Sequence, residues 1–217
     1  MELFYHPLSR SCQKVLIALY EKQANFFPRL VNLHDPVERH EYLEMFPLGQ
    51  LPLLKTRERW QISDSSIIIE YINQHVTENT QLFPTDSVLN LRTKMLDRLI
   101  DNQLYHILYE IERHHRLPEQ MQQAILLRQL YKQLDTILTE FDKQVEGHYW
   151  LCGDGFTLAD CALIPALASL PAEVQLMEYF ELNRYWQQAE LRGAWHLVKD
   201  EIEQAKQALH TGIQPPP

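Results

Sequence analysis

The chain has 217 residues, of which 45% are hydrophobic, so it can bury a core and global disorder is excluded. Its formal net charge of −9 disfavours a nucleic-acid partner, which needs clustered Lys and Arg. No apolar run approaches the roughly 18 residues of a bilayer span, so no membrane partner is expected.

Met1-Glu2-Leu3-Phe4 lacks a basic leader before an apolar core, and a cytoplasmic protein is expected. Three cysteines, Cys12, Cys152 and Cys161, are an odd and sparse set that argues against a disulfide framework. Ten histidines raise the question of a metal. His114 and His115 are adjacent, however, not at the i, i+4 spacing that puts two ligands on one helix face, so no metal is expected.

In chain order, Glu2 to Tyr5 reads as a short strand ended by His6-Pro7-Leu8. Val15, Leu16, Leu19 and Tyr20 then recur at helical spacing. Phe26 to Asn32 reads as a second strand. Asp35 and Pro36 read as N-cap and first turn of a helix that fades near Phe46-Pro47-Leu48-Gly49. Leu51 to Lys55 and Trp60 to Ile62 are predicted strands around a charged turn. Ser63 or Asp64 caps a helix carrying Ile67, Ile68, Tyr71 and Ile72.

Past the connector Gln81 to Asp86 the strand signal vanishes. Leu89 to His115 and Gln120 to Val145 are predicted as long amphipathic helices. Thr157 with Asp160 matches a capping box ahead of the apolar run Cys161 to Leu170. Helices continue to about Leu209, and Pro215-Pro216-Pro217 reads as a frayed tail. The expected organisation is an α/β unit of order βαβ-α-ββα at residues 1–77, a linker at 78–87 and an all-helical unit at 88–217.

That split resembles the glutathione transferase family over nearly the whole chain. The carrying residues are Tyr5 to Val15, Phe46 to Pro52, Ser63-Asp64-Ser65 and Gly153 to Asp160. Phe46 departs from the Asn frequent there in the family. The resemblance implies a thioredoxin-like domain that binds glutathione as co-substrate. A helical domain would shape a pocket for a small electrophilic second substrate, in a protein that forms homodimers.

The resemblance places Ser9 where the family carries its catalytic Ser, Tyr or Cys, before the first turn of helix one. A thiolate there meets unpaired backbone N–H groups and the positive end of the helix dipole. A hydroxyl donating to that sulfur contributes roughly 1.5–3 kcal/mol, which lowers the thiol pKa by about 1–2 units. Thiolate is the nucleophile, so stabilising it is catalysis. Ser9, Ser11 and Cys12 are the catalytic candidates. Register favours Ser9, because it leaves Lys14-Val15 in the usual helix position. Capping of helix one is the plainer role for Ser9. Cys12 completes a Ser-x-x-Cys version of the oxidoreductase motif, and core packing is its alternative.

By the same resemblance Gln50, Leu51 and Pro52 contact glutathione. The family's matching Pro follows a cis bond, which presents the backbone of Leu51 to the cysteinyl backbone of glutathione like a sheet edge. Asp64 and Ser65 open helix three, where a helix N-terminus suits the γ-glutamyl carboxylate and Asp64 would face the ammonium group. Candidates for the second-substrate pocket are His6, Arg10, Tyr105, His106 and Tyr109. Four functions follow as alternatives: conjugation of glutathione to electrophiles, glutathione-dependent isomerisation, thiol-disulfide reduction, and a non-catalytic protein-interaction module. The isomerase signature Ser-Ser-Cys-Ser-Trp-Arg is matched only in part by Ser9 to Lys14.

Overall fold

Alternation along the first strand, Glu2–Tyr5 (β1), buries Leu3 and Tyr5 on one side of the sheet and turns Phe4 to the other. A computed structural model describes residues 1–76 and 80–211 of the chain. In it, β1 pairs in parallel with Phe27–Leu30 (β2) and antiparallel with Leu53–Lys55 (β3), which pairs antiparallel with Gln61–Ile62 (β4). The sheet order is β2-β1-β3-β4. The strand expected over residues 26–32 pairs only over Phe27–Leu30. It is an edge strand containing Pro28, which has no N–H to give a ladder.

Helices Arg10–Glu21 (α1) and Ser65–His75 (α3) pack on one another, and Val15, Leu16, Leu19, Ile68, Ile69 and Ile72 are fully buried. Pro36–Met45 (α2) begins where the sequence placed it. Asp35 accepts from the N–H groups of Val37 and Glu38 at 2.9 and 3.0 Å, and Pro36 stands in the first turn. Tyr42 of α2 packs with Val31 and Leu53, and its ring meets Phe4 at 6.1 Å between centroids.

The chain divides into two compact units. One comprises residues 1–81 together with the segment from Arg192 on, and the other is Leu82–Leu191. The sequence pattern groups residues 88–217 into one helical unit. The structure instead packs the last helix, Gly193–Thr211 (α9), against α1. The contacts responsible join residues more than 170 apart in sequence. Arg192 forks onto Glu21, with Nε to Oε1 at 2.7 Å and Nη2 to Oε2 at 2.5 Å. Tyr5 donates its hydroxyl to Glu201 at 2.6 Å, and the Tyr20 hydroxyl donates to the same carboxylate. The expected unit boundary at 77–78 and the tail Pro215 to Pro217 fall at least partly outside the described residues.

The second unit holds Ser87–Leu99 (α4), Tyr105–His115 (α5), Ala124–Gln144 (α6), Leu158–Ala168 (α7) and Phe180–Glu190 (α8). The helix expected over 89–115 starts earlier, because Asp86 caps it by accepting from Leu89 N–H at 2.8 Å. It is also broken by a π-helical turn at Ile100–Leu104. The helix expected from Gln120 begins at Ala124. Ahead of it come Pro118 and a tight turn at Glu119–Met121, and the Gln123 N–H is spent on Nε2 of buried His114 at 2.8 Å.

Helix α7 is buried on nearly every side. Its start is fixed by Asp160, which accepts from Leu151 N–H, Thr157 N–H, Thr157 Oγ1 and Tyr185 OH at 2.8–3.1 Å. The capping box read from the sequence is present.

Candidate functional site

Strand register decides where the three sequence motifs fall. Phe4 lies opposite Leu53 in the antiparallel β1–β3 pair, so the end of β1 that leads to Ser9 shares one edge of the sheet with the Leu51-Pro52 entry to β3. Strand β4 runs antiparallel to β3, with Leu54 opposite Ile62, so it exits toward Asp64 and Ser65 at that same edge. Residues 9, 51–52 and 64–65 are distant in sequence and are delivered to one end of one sheet.

Ser9 is the N-cap of α1, with extended backbone at φ −87° and ψ 122°, yet its side chain makes no capping bond. The hydroxyl instead hydrogen bonds toward the Cys12 sulfur. The first turn of α1 carries no acidic side chain to compete for its N–H groups. Ser11 lies one residue inside the helix and is half-buried. Cys12 is fully buried. Burial pushes its thiol up to about 11, and hydrogen bonds from Ser9 and the His6 backbone offset only part of that. Such a sulfur is neutral and sealed at physiological pH, which is what packing requires and what a redox centre cannot use.

Leu51-Pro52 is a cis peptide. Leu51 precedes the paired part of β3, and the turn that feeds it contains Gly49 at φ +62°. A Cβ on Gly49 would stand 2.8 Å from Leu43 Cδ2, the far end of a side chain that can shift, so it is chiefly the positive φ that favours glycine there. The exposed Gln50 has its carbonyl held by the Tyr42 hydroxyl at 2.7 Å. Asp64 is the exposed N-cap of α3 and accepts from Ile67 N–H at 3.0 Å, while Ser65 is buried in the first turn.

Two contributors escaped the sequence reading. Lys14, used there only to set register, is wholly buried, and its Nζ donates to Ser66 Oγ at 2.8 Å, beneath the start of α3. Tyr42, which the sequence does not single out, steadies Gln50. Both are contacts between separate elements, to which periodicity along one element is blind.

The residues assigned to a second-substrate pocket have different fates. His6 is half-buried, and burial lowers its pKa, assisted by His34 and opposed by Glu38. Arg10 opens α1 and is half-buried. Tyr105 is buried, with its hydroxyl donating to the Ala162 carbonyl at 2.8 Å, a packing role within its own unit. His106 and Tyr109 of α5 are exposed. Among the described residues no group of three His, Cys, Asp or Glu side chains is placed to hold a metal ion, and no helix is long and apolar enough to cross a membrane.

Residues 3–80 match the family model described as the glutathione S-transferase N-terminal domain, and residues 112–193 match that of the C-terminal domain. A stringent starvation protein A homolog from Coxiella burnetii is 28% identical over 171 residues, covering 79% of this chain and 76% of its own. Glutathione S-transferase 3 of Zea mays is 28% identical over 189 residues, covering 78% of each chain.

Among solved structures, a glutathione S-transferase from Methylobacillus flagellatus with glutathione bound superposes with a TM-score of 0.80 at 25% identity. It covers 92% of this chain and 98% of that one. Glutathione S-transferase 1-6 from Anopheles dirus shares the fold at a TM-score of 0.85 and 18% identity, over 98% and 100% of the two chains. Both halves of the fold and both family models agree: the chain belongs to the glutathione S-transferase family.

Proposed function

We propose that the protein binds glutathione at the end of the sheet where Ser9, Leu51-Pro52 and Ser65 converge, and directs its thiolate at a small electrophile. The observation that carries this reading is the Ser9 hydroxyl. It sits at the N-cap of α1 without making the side-chain capping bond. In this reading the hydroxyl swings from Cys12 to the bound sulfur, and the first-turn N–H groups of α1 add their dipole. Leu51 supplies the peptide-like edge, and the α3 N-terminus with Ser65 takes the γ-glutamyl carboxylate. Gln50 is left for the glycyl end and Asp64 for the ammonium group. Thiol-disulfide reduction through Cys12 is disfavoured by the burial and raised pKa of that sulfur.

Calorimetric titration of glutathione into wild type and Ser9→Ala tests the reading, with thiolate absorbance followed across pH. Wild type should bind, and the variant should bind comparably while ionising the thiol only at higher pH. No binding at millimolar glutathione would sink the proposal. The second reading, a protein that keeps the fold without conjugating glutathione, would then take its place. Its support is the similarity to a relative whose name describes a starvation protein.

The subunits pair as homodimers in this proposal, using the face of α4 on which Val88, Leu91 and Met95 stand exposed at i, i+3 and i+7. Three free cysteines suit a reducing compartment, the cytoplasm.

A further inference from the structure

A cleft of about 830 Å³ lies within the first unit, bounded by the end of β1, edge strand β2, α2 and the C-terminal part of α9. Its volume is that of a small-molecule site, roughly 300–1,000 Å³. None of Ser9, Leu51, Pro52, Asp64 or Ser65 lines it. It is therefore separate from the proposed glutathione site.

Two aromatic pairs make its walls: Phe4 with Tyr42 at 6.1 Å between centroids, and Tyr20 with Phe26 at 6.2 Å. Three acidic residues, Glu38, Glu41 and Glu201, also line it, with Glu38 accepting from the Asn32 N–H at 2.8 Å, and no lysine or arginine lines it. His6 is its one basic side chain, and burial lowers the pKa of that imidazole, so it adds no positive charge at neutral pH. Glu201 is held in place by the hydroxyls of Tyr5 and Tyr20. Burial and the carboxylate both push those phenols well above their ordinary range, so they stay protonated and go on donating.

Aromatic faces combined with oriented carboxylates attract organic cations and repel anions. Glutathione, with its two carboxylates, is the wrong sign for this cleft. We propose that the cleft between β2, α2 and α9 is a second ligand site, selective for a small organic cation that carries an apolar arm. The ammonium group lies between Glu201 and the tyrosine rings, and the arm lies along the Phe4, Met45 and Leu209 side of the cleft.

Benzyltrimethylammonium chloride is the probe, titrated by calorimetry into the full chain in phosphate buffer, with benzyl alcohol and benzenesulfonate as neutral and anionic counterparts. Saturable one-to-one binding of the cation is expected, about tenfold or more tighter than benzyl alcohol, with no binding of the sulfonate. Ala205→Trp, which fills the cleft from α9, should abolish cation binding and leave glutathione affinity unchanged. Glu201→Gln should weaken it about fivefold or more. Should that variant lose its fold, Glu41→Gln, at an exposed position, removes another of the cleft's negative charges and should weaken cation binding in the same direction. Absence of saturable cation binding, equal binding of benzyl alcohol, or undiminished binding by Ala205→Trp would each overturn the site, whatever the outcome for glutathione.

Discussion

Ser9 and Cys12 are three residues apart and have opposite fates, because one ends a strand connection and the other is inside a helix facing the core. Replacing Ser9 by Ala removes one charge-assisted hydrogen bond, and the pKa of bound glutathione thiol should rise by about 1–2 units while its affinity barely moves. Absorbance of the bound thiolate against pH checks this. Cys12, with its thiol near 11, holds on the order of one thiolate in ten thousand at pH 7. Iodoacetamide should leave it unmodified in the native protein and label it once denaturant is added, as mass spectrometry would show. Both candidates were visible in the sequence, and so was the register that favours Ser9. The sequence could not show that Ser9 forgoes its capping bond or that Cys12 is sealed, since each depends on atoms brought up by folding.

Most of the elements were legible, because local rules write them. Alternation marks Glu2–Tyr5, Asp35-Pro36 marks the start of α2, and Thr157 with Asp160 marks the start of α7. What periodicity missed were the interruptions: the π turn at Ile100–Leu104, and the delayed start of α6 behind the bond from Gln123 to His114. The Asp160 cap has a cost that only burial reveals. Burial pushes its carboxyl up to about 6, although four hydrogen bonds pull the other way.

A folded pKa above the ordinary 3.8 means that this group's stabilisation is complete below about pH 3.8 and is lost as the pH rises through about 6. Urea unfolding should therefore show this group favouring pH 5 over pH 7.5 by about 1–1.5 kcal/mol. Asp160→Asn should remove that share of the pH dependence while lowering stability overall. At the turn feeding Leu51, Gly49→Ala confronts both the positive φ and the Leu43 methyl. A loss of about 1–2 kcal/mol is expected in the same assay, together with weakened glutathione binding.

For the whole molecule, the sequence division into an α/β part and a helical part holds for class of structure but not for where the last helix belongs. Nothing in the pattern of α9 announces that its partners are Tyr5, Tyr20 and Glu21, since amphipathic spacing shows that a helix has a buried face and not what buries it. The exposed face of α4 bears on assembly in the same indirect way. If the proposed α4 pairing holds, wild type sediments as a dimer and Leu91→Glu as a monomer in sedimentation equilibrium; a monomeric wild type or an unchanged variant mass would remove that pairing.

The discontinuity of the first unit also sets an order of maturation. Residues 82–191 form one uninterrupted stretch that is synthesised before Arg192 and Glu201. At about 5–20 residues per second, Tyr5 and Tyr20 wait roughly 6–24 s after residue 81 is made for the carboxylate that will receive them. The part of the chain made first is finished last: the face of α1 that receives α9 stays uncovered until the residues from Arg192 on have been made.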